Sequence, residues 1–176
     1  MTWRIAFVFT ILALLGLAAY SPGLSGSAAQ AASGETKADR VVIEKSAHRL
    51  TLYAGARVLK TYQVALGQGG TAPKTRQGDG RTPEGLYRID SRNPHSAYHL
   101  ALHISYPDAH DISRAASLGV PPGGQIMIHG LPNGMGRLGP LHRAVDWTAG
   151  CIAVTDAEIE EIWHAVPDGT PVEIDP

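Results

Sequence analysis

The chain carries one cysteine, Cys151, in the run Trp147-Thr148-Ala149-Gly150-Cys151-Ile152. A thiol becomes an acyl-transfer nucleophile when a neighbouring imidazole takes its proton and donors receive the charge on the attacked carbonyl oxygen. Gly150 places no side chain before the cysteine, which leaves room for a substrate carbonyl. The N–H groups around Gly150 and Cys151 are the expected donors. Among eight histidines, His129 is the expected base, because it ends the apolar run Ile126-Met127-Ile128 and precedes Gly130, whose carbonyl is unencumbered. His142 is the rival base, nine residues before Cys151. The competing reading of Cys151 is a buried, inert thiol, the usual fate of a free cysteine. His95, His99 and His103 fall at a spacing that would line a helix with metal ligands. Their segment reads as a strand, so only His99 and His103 share a face. No metal is expected, and His103 or Ser105 is placed in the groove beside the nucleophile.

The elements that must position these residues are mostly strands. Val41-Val42-Ile43 is a short β-branched run. Leu50 and Leu52 alternate with polar neighbours, and Gly55 signals a hairpin to a strand carrying Val58, Tyr62, Val64 and Leu66. Lys60 breaks that alternation. Residues 67–80 hold five glycines and a proline and read as a long loop. Leu86–Ile89 is a short strand. In the next, Tyr98, Leu100, Leu102, Ile104 and Tyr106 share one face, with His99, Ala101, His103 and Ser105 on the other. Ile112–Leu118 suits a short helix. Ile126 and Ile128 face the core, which turns Met127 and His129 away. Ile152 and Val154 do the same for Cys151 and Ala153. A glycine- and proline-rich loop from Gly130 to Val145 joins the two and is read as a mobile lid or wall of the groove. Thr155-Asp156-Ala157-Glu158 is a capping box. It opens a helix with Ile159, Ile162, Trp163 and Val166 on one face. Val172 and Ile174 suggest a last strand. The expectation is one mainly β domain with a helix in its C-terminal region.

Residues 1–31 have the form of a secretory signal peptide: Arg4, an apolar run from Ile5 to Tyr20, and Ala29-Gln30-Ala31 as cleavage site. That run falls slightly short of the ~20 residues needed to span a bilayer. Residues 32–40 read as a polar tether, and 41–176 as one domain of ordinary size. Removing residues 1–31 takes away Arg4 alone and leaves 14 basic against 16 acidic side chains. Nothing in that balance favours nucleic acid as a partner. A lone cysteine in an exported chain cannot form an internal disulfide, which points to a reactive thiol or an intermolecular bond.

Several ordered motifs resemble the YkuD-type L,D-transpeptidases. They are Leu50-Thr51-Leu52-Tyr53, Gly80-Arg81-Thr82-Pro83-Glu84-Gly85, Gly124-Gln125-Ile126-Met127-Ile128-His129-Gly130 and Thr148-Ala149-Gly150-Cys151-Ile152. The resemblance covers about residues 41–174. It implies a β-sandwich of mixed sheets, Cys151 as nucleophile, His129 as base, and a Gly130 carbonyl that fixes the imidazole tautomer. The implied substrate is a peptidoglycan stem peptide, attacked at an L-to-D junction next to diaminopimelate. A Cys151 thioester would be resolved by an amine or by water, without metal or organic cofactor. The implied location is the periplasm or cell envelope. Residues 146–154 look most like the branch that includes amidases releasing lipoprotein from peptidoglycan, which adds an outer-membrane lipoprotein as a partner. Thr148 and His103 are carried as substrate-binding residues. Arg137 and Arg143 join them because a guanidinium matches a stem-peptide carboxylate. Ala149 stands where many members have histidine, and the loop from His129 to Cys151 is longer than in many. The alternative class is a non-catalytic module that binds the wall or a metal.

Overall fold

A computed structural model describes residues 36–176. The signal-peptide reading lies outside them. The elements in chain order are β1 (Arg40–Glu44), β2 (Arg49–Ala54), β3 (Arg57–Gln63), β4 (Gly85–Ser96), β5 (His99–Ile104), α1 (Ala109–Ser117), β6 (Met127–His129), β7 (Ile152–Ala153), α2 (Asp156–Ala165) and β8 (Pro171–Asp175). A 3-10 segment, Gly136–Ala144, kinks at Gly139. The strands form one mixed, curled sheet in the order β3-β2-β1-β8-β4-β5-β6-β7. β1/β8 and β6/β7 are parallel pairs, and the others are antiparallel. β4 joins the two halves: Gly85–Arg88 pairs with β8, and Ile89–Ser96 pairs with β5. The fold is therefore mainly β with mixed strands, as the sequence reading expected.

Residues 38–40, read from sequence as the end of the tether, pack with the domain. Ala38 is buried and its N–H donates to the Ala165 carbonyl, while Arg40 opens β1. Val58, expected inside, is exposed. A β-bulge between the partners of Leu52 and Tyr53 leaves Leu59 as the extra residue, which packs against the core instead. β4 runs far beyond Ile89, because Asp90–His95 are mostly exposed polar residues whose strand state comes from pairing rather than from an apolar pattern. α2 starts at the expected capping box, with Thr155 Oγ1 accepting from Glu158 N–H and Glu158 accepting from Thr155 N–H. It buries Ile159 and Ile162 completely, worth about 1.5–3 kcal/mol each.

The strands around the site have a fixed register. Ala101 opposes His129, and His103 opposes Met127. Ile128 opposes Ile152. Ile128, Leu102 and Ile152 are fully buried in the core. The alternating residues His103, Met127, His129 and Cys151 therefore share the opposite face.

Candidate active site

His129 and Cys151 both line one cleft of about 330 Å³, with Tyr98, Trp147, Gln68 and Gln125. The parallel pairing of β6 with β7 brings them there from 22 positions apart in the chain. His129 is 3% exposed, and its Nδ1–H donates to the Gly130 carbonyl at 2.7 Å. A carbonyl can only accept, so Nε2 carries the lone pair. The ring lies 4.6 Å from Tyr98 and 5.8 Å from Trp147, centroid to centroid. Tyr98 was expected on the core face with Leu100. His99 takes φ +65°, which breaks the alternation and turns Tyr98 onto the histidine.

The nucleophile's turn is built backbone on backbone. Thr148 Oγ1 accepts from Gly150 N–H at 3.1 Å and donates to the Cys151 carbonyl at 2.7 Å. The Gly150 amide is thus already engaged. Gly150 has φ +128°, and a Cβ there would stand 2.5 Å from the Arg81 carbonyl oxygen. The space left by its missing side chain holds the 67–81 loop, not a substrate carbonyl. Thr148, expected to bind substrate, is buried and holds the turn. Segment 65–68 grips both ends of this turn: Ala65 and Ala153 exchange two backbone bonds, and Thr148 bonds with Leu66 and Gln68. Asp146 adds to the grip, accepting from Leu66 N–H at 2.8 Å.

The Cys151 thiol donates to the Gln125 carbonyl at 3.4 Å. Burial pushes its pKa up, against the Met127 amide and the Lys74 charge. Burial also lowers the His129 pKa, against the Gly130 hydrogen bond. Both effects disfavour the charged forms. Burial thus favours a neutral thiol and a neutral imidazole over an ion pair. Gln125, at φ +58°, was not read from sequence as a site residue, because nothing in its type announces a left-handed backbone.

The comparisons with known proteins bear on this arrangement. The model of the YkuD family, L,D-transpeptidase catalytic domain, matches residues 38–174. The chain belongs to this family. A relative is "Putative L,D-transpeptidase YafK" of Escherichia coli K12, 32% identical over 113 residues. That match covers 62% of this chain and 38% of the relative, so the chain spans well under half of the relative's length. Among solved structures, the helical cell shape determining protein Pgp2 of Campylobacter jejuni is similar with TM-score 0.60 and 24% identity, covering 80% of this chain and 48% of that one. An L,D-transpeptidase from Xylanimonas cellulosilytica is similar with TM-score 0.54 and 17% identity, covering 80% and 62%. At these identities the structures speak for the YkuD fold alone.

Within this YkuD domain the other expected site residues scatter. Arg143 pairs with Glu158 on α2, and Arg137 is exposed. Neither lines the Cys151 cleft. Nor does the rest of the 130–145 loop. Leu131 is buried, and its N–H donates to Asp156 at 2.8 Å, which draws the loop toward α2. The loop instead flanks an apolar groove of about 380 Å³ on the far side of Trp147. His142 lies in that groove, accepting from Trp147 Nε1 at 3.4 Å. It does not line the cleft, so the rival base is displaced by geometry. Two hollows do adjoin the cleft. One, of about 630 Å³, shares Gln68, Gln125 and Ala149 with it. The other, of about 310 Å³, shares Gln125 and Met127 and contains His103. Among the described residues no group of three His, Cys, Asp or Glu side chains could hold a metal ion.

Proposed function

We propose that this chain is an exported cysteine acyl-transfer enzyme of the cell envelope, acting on peptidoglycan stem peptides. The observation that carries the reading is the placement of Cys151 and a tautomer-fixed His129 on one cleft. Cys151 Sγ attacks the carbonyl of the residue at an L-to-D junction, next to diaminopimelate. His129 Nε2 takes the thiol proton as the S–C bond forms, then gives it to the leaving amine. The Gly130 carbonyl holds the ring as a carboxylate does in other triads. The Cys151 amide is the donor for the oxyanion, since that of Gly150 is bonded to Thr148. This sequence of steps needs no metal or organic cofactor.

The thioester is then resolved by an amine or by water. Likeness of residues 146–154 to the lipoprotein-releasing amidases favours cleavage, with an outer-membrane lipoprotein attached to peptidoglycan as substrate. Family membership supports the peptidoglycan assignment, and the sequence of residues 1–31 supports export. The test is mass spectrometry after incubation with a carbapenem. A mass gain confined to Cys151, absent in Cys151→Ala, is expected. Folded protein without an adduct would favour the non-catalytic module. Parallel incubation with cross-linking donor peptides and lipoprotein-linked muropeptides separates the two outcomes of the thioester. Cross-links without lipoprotein release would overturn the amidase assignment.

A further inference from the structure

Nine large apolar side chains are exposed among the described residues, and four of them, Met135, Leu138, Leu141 and Val145, belong to the 130–145 loop. Leu141 is 75% and Val145 67% exposed. The other five are spread over β3, β4, the cleft wall and α1 with its cap. Apolar side chains scattered in that way are ordinary on a surface, whereas four around one groove mark a contact site. The groove they line is the one of about 380 Å³ on the far side of Trp147.

This groove gives a partner little to hydrogen-bond. Its polar side-chain atoms are those of His142 and Trp147. Trp147 Nε1 donates to His142 Nδ1, and His142 Nε2 is buried. The backbone of the loop is equally self-sufficient. The Leu131 N–H donates to Asp156, that of Asn133 to the Ala97 carbonyl, that of Met135 to Pro132 and that of Leu138 to Met135. A segment that meets hydrocarbon must satisfy its own backbone groups in this way. Protein interfaces instead carry about one hydrogen bond per 100–200 Å².

Charge gives the sign of the surface it fits. Residues 130–145 hold two arginines and no acid, in a chain with 16 acidic residues. The acids beside the loop are occupied: Glu158 pairs with Arg143, Asp156 accepts from Leu131, and Asp146 is taken by Leu66 and His48. Arg137 is exposed and has no partner among the described residues.

We infer that the 130–145 loop is a docking surface for an anionic phospholipid bilayer, with Leu141 and Val145 entering the acyl layer and Arg137 meeting the headgroup phosphates. Apolar side chains with a cation and a tryptophan beside them are what a bilayer interface takes. Trp147 is a wall shared by this groove and the cleft, so docking sets the Cys151 cleft beside the lipid surface. The inference needs no step of the reaction proposed above.

The experiment uses the chain from residue 32, because the core lies wholly between Ala38 and Ile174 and the apolar run Ile5–Tyr20 has lipid affinity of its own. Sedimentation is measured with vesicles of phosphatidylethanolamine and phosphatidylglycerol, and with vesicles of phosphatidylcholine. Binding to the anionic mixture is expected to be stronger by about fivefold, the effect of one cation near the surface. Arg137→Gln should abolish that difference. Leu141→Ser with Val145→Ser should lower binding to both vesicles by about tenfold or more. The same loss on α1, Ile112→Ser with Leu118→Ser, should leave it unchanged. The pair at 141 and 145 should still melt and take up carbapenem like the wild type; loss of that uptake together with binding would mark a structural defect and count against the surface. No binding by the wild type, full binding by the 141 and 145 pair, or equal loss in the α1 pair would overturn it. A wild-type dimer that the 141 and 145 pair makes monomeric, with vesicles left unbound, would assign the groove to a second copy and overturn it too. Should that pair not fold, Leu141→Trp decides: quenching of its fluorescence by brominated acyl chains is expected, and its absence would refute insertion.

Discussion

Thr148 is a single hydroxyl with two duties, one bond in and one bond out of the nucleophile's turn. Thr148→Val keeps the shape and deletes both. The buried Gly150 N–H is then left without an acceptor, which costs about 1–3 kcal/mol. A shift of the thiol by a fraction of an ångström should also slow carbapenem acylation by about 10–100-fold. Thermal unfolding and adduct kinetics measure the two separately. An unchanged acylation rate would show that Thr148 does not position Cys151. The neutral pair that burial favours has its own consequence. Burial disfavours the thiolate, so the thiol pKa rises, and disfavours the imidazolium, so the histidine pKa falls. Alkylation of Cys151 by iodoacetamide should therefore climb with pH, with a midpoint above the ordinary thiol value of about 8.5. A rate already on its plateau at pH 6 would mean a resting thiolate and contradict the geometry.

At the scale of elements, the 67–81 loop is a structural part of the site, because the Arg81 carbonyl fills the space beside Gly150. Its anchor is the buried pair of Lys74 and Asp79, 2.8 Å apart. Burial alone would raise the Asp79 pKa. The Lys74 hydrogen bond and the amides of Thr75, Arg76 and Arg81 overcome it and hold the carboxyl at about 2, below its ordinary 3.8. Stability from this depressed carboxyl is present above about pH 4 and is lost as pH falls from there through 2. Asp79→Asn strands a buried ammonium and should cost about 3–5 kcal/mol, with a flatter melting profile between pH 4 and 2 than wild type. A variant that melts like wild type at neutral pH would remove the loop from the account. None of this was legible beforehand. Glycine spacing marked residues 67–80 as a loop, but long-range ion pairs leave no local pattern. What was legible was periodic or capped: β1, β2, β5, α2 with its Thr155 box, and the outward parity of His129 and Cys151. The misses have physical causes. One bulge reversed Val58, and pairing with β5 carried β4 past Ile89 without an apolar pattern. The left-handed His99 turned Tyr98, and α2 drew the 130–145 loop off the cleft.

At the scale of the whole molecule, β4 belongs to both halves of the sheet, and one continuous core runs from Ala38 to Ile174. The described domain should unfold in one step, with far-ultraviolet and tryptophan signals coinciding across a urea titration. Separate transitions would show that β4 does not couple the halves. The place of β8 carries a further consequence. This strand comes last among the described elements, yet lies between β1 and β4 in the middle of the sheet. A chain emerging from its amino end can pair β1 with β2 and β3, and β4 with β5, but these remain two fragments until residues 171–175 arrive. Folding must wait for residues 171–175, and such distant pairing is slow. Truncation at Thr170 should leave a chain that binds hydrophobic dyes and shows no cooperative melt, although it retains every residue of the cleft. On the export proposed above, such lateness would keep the domain open until residues 171–175 had crossed the membrane.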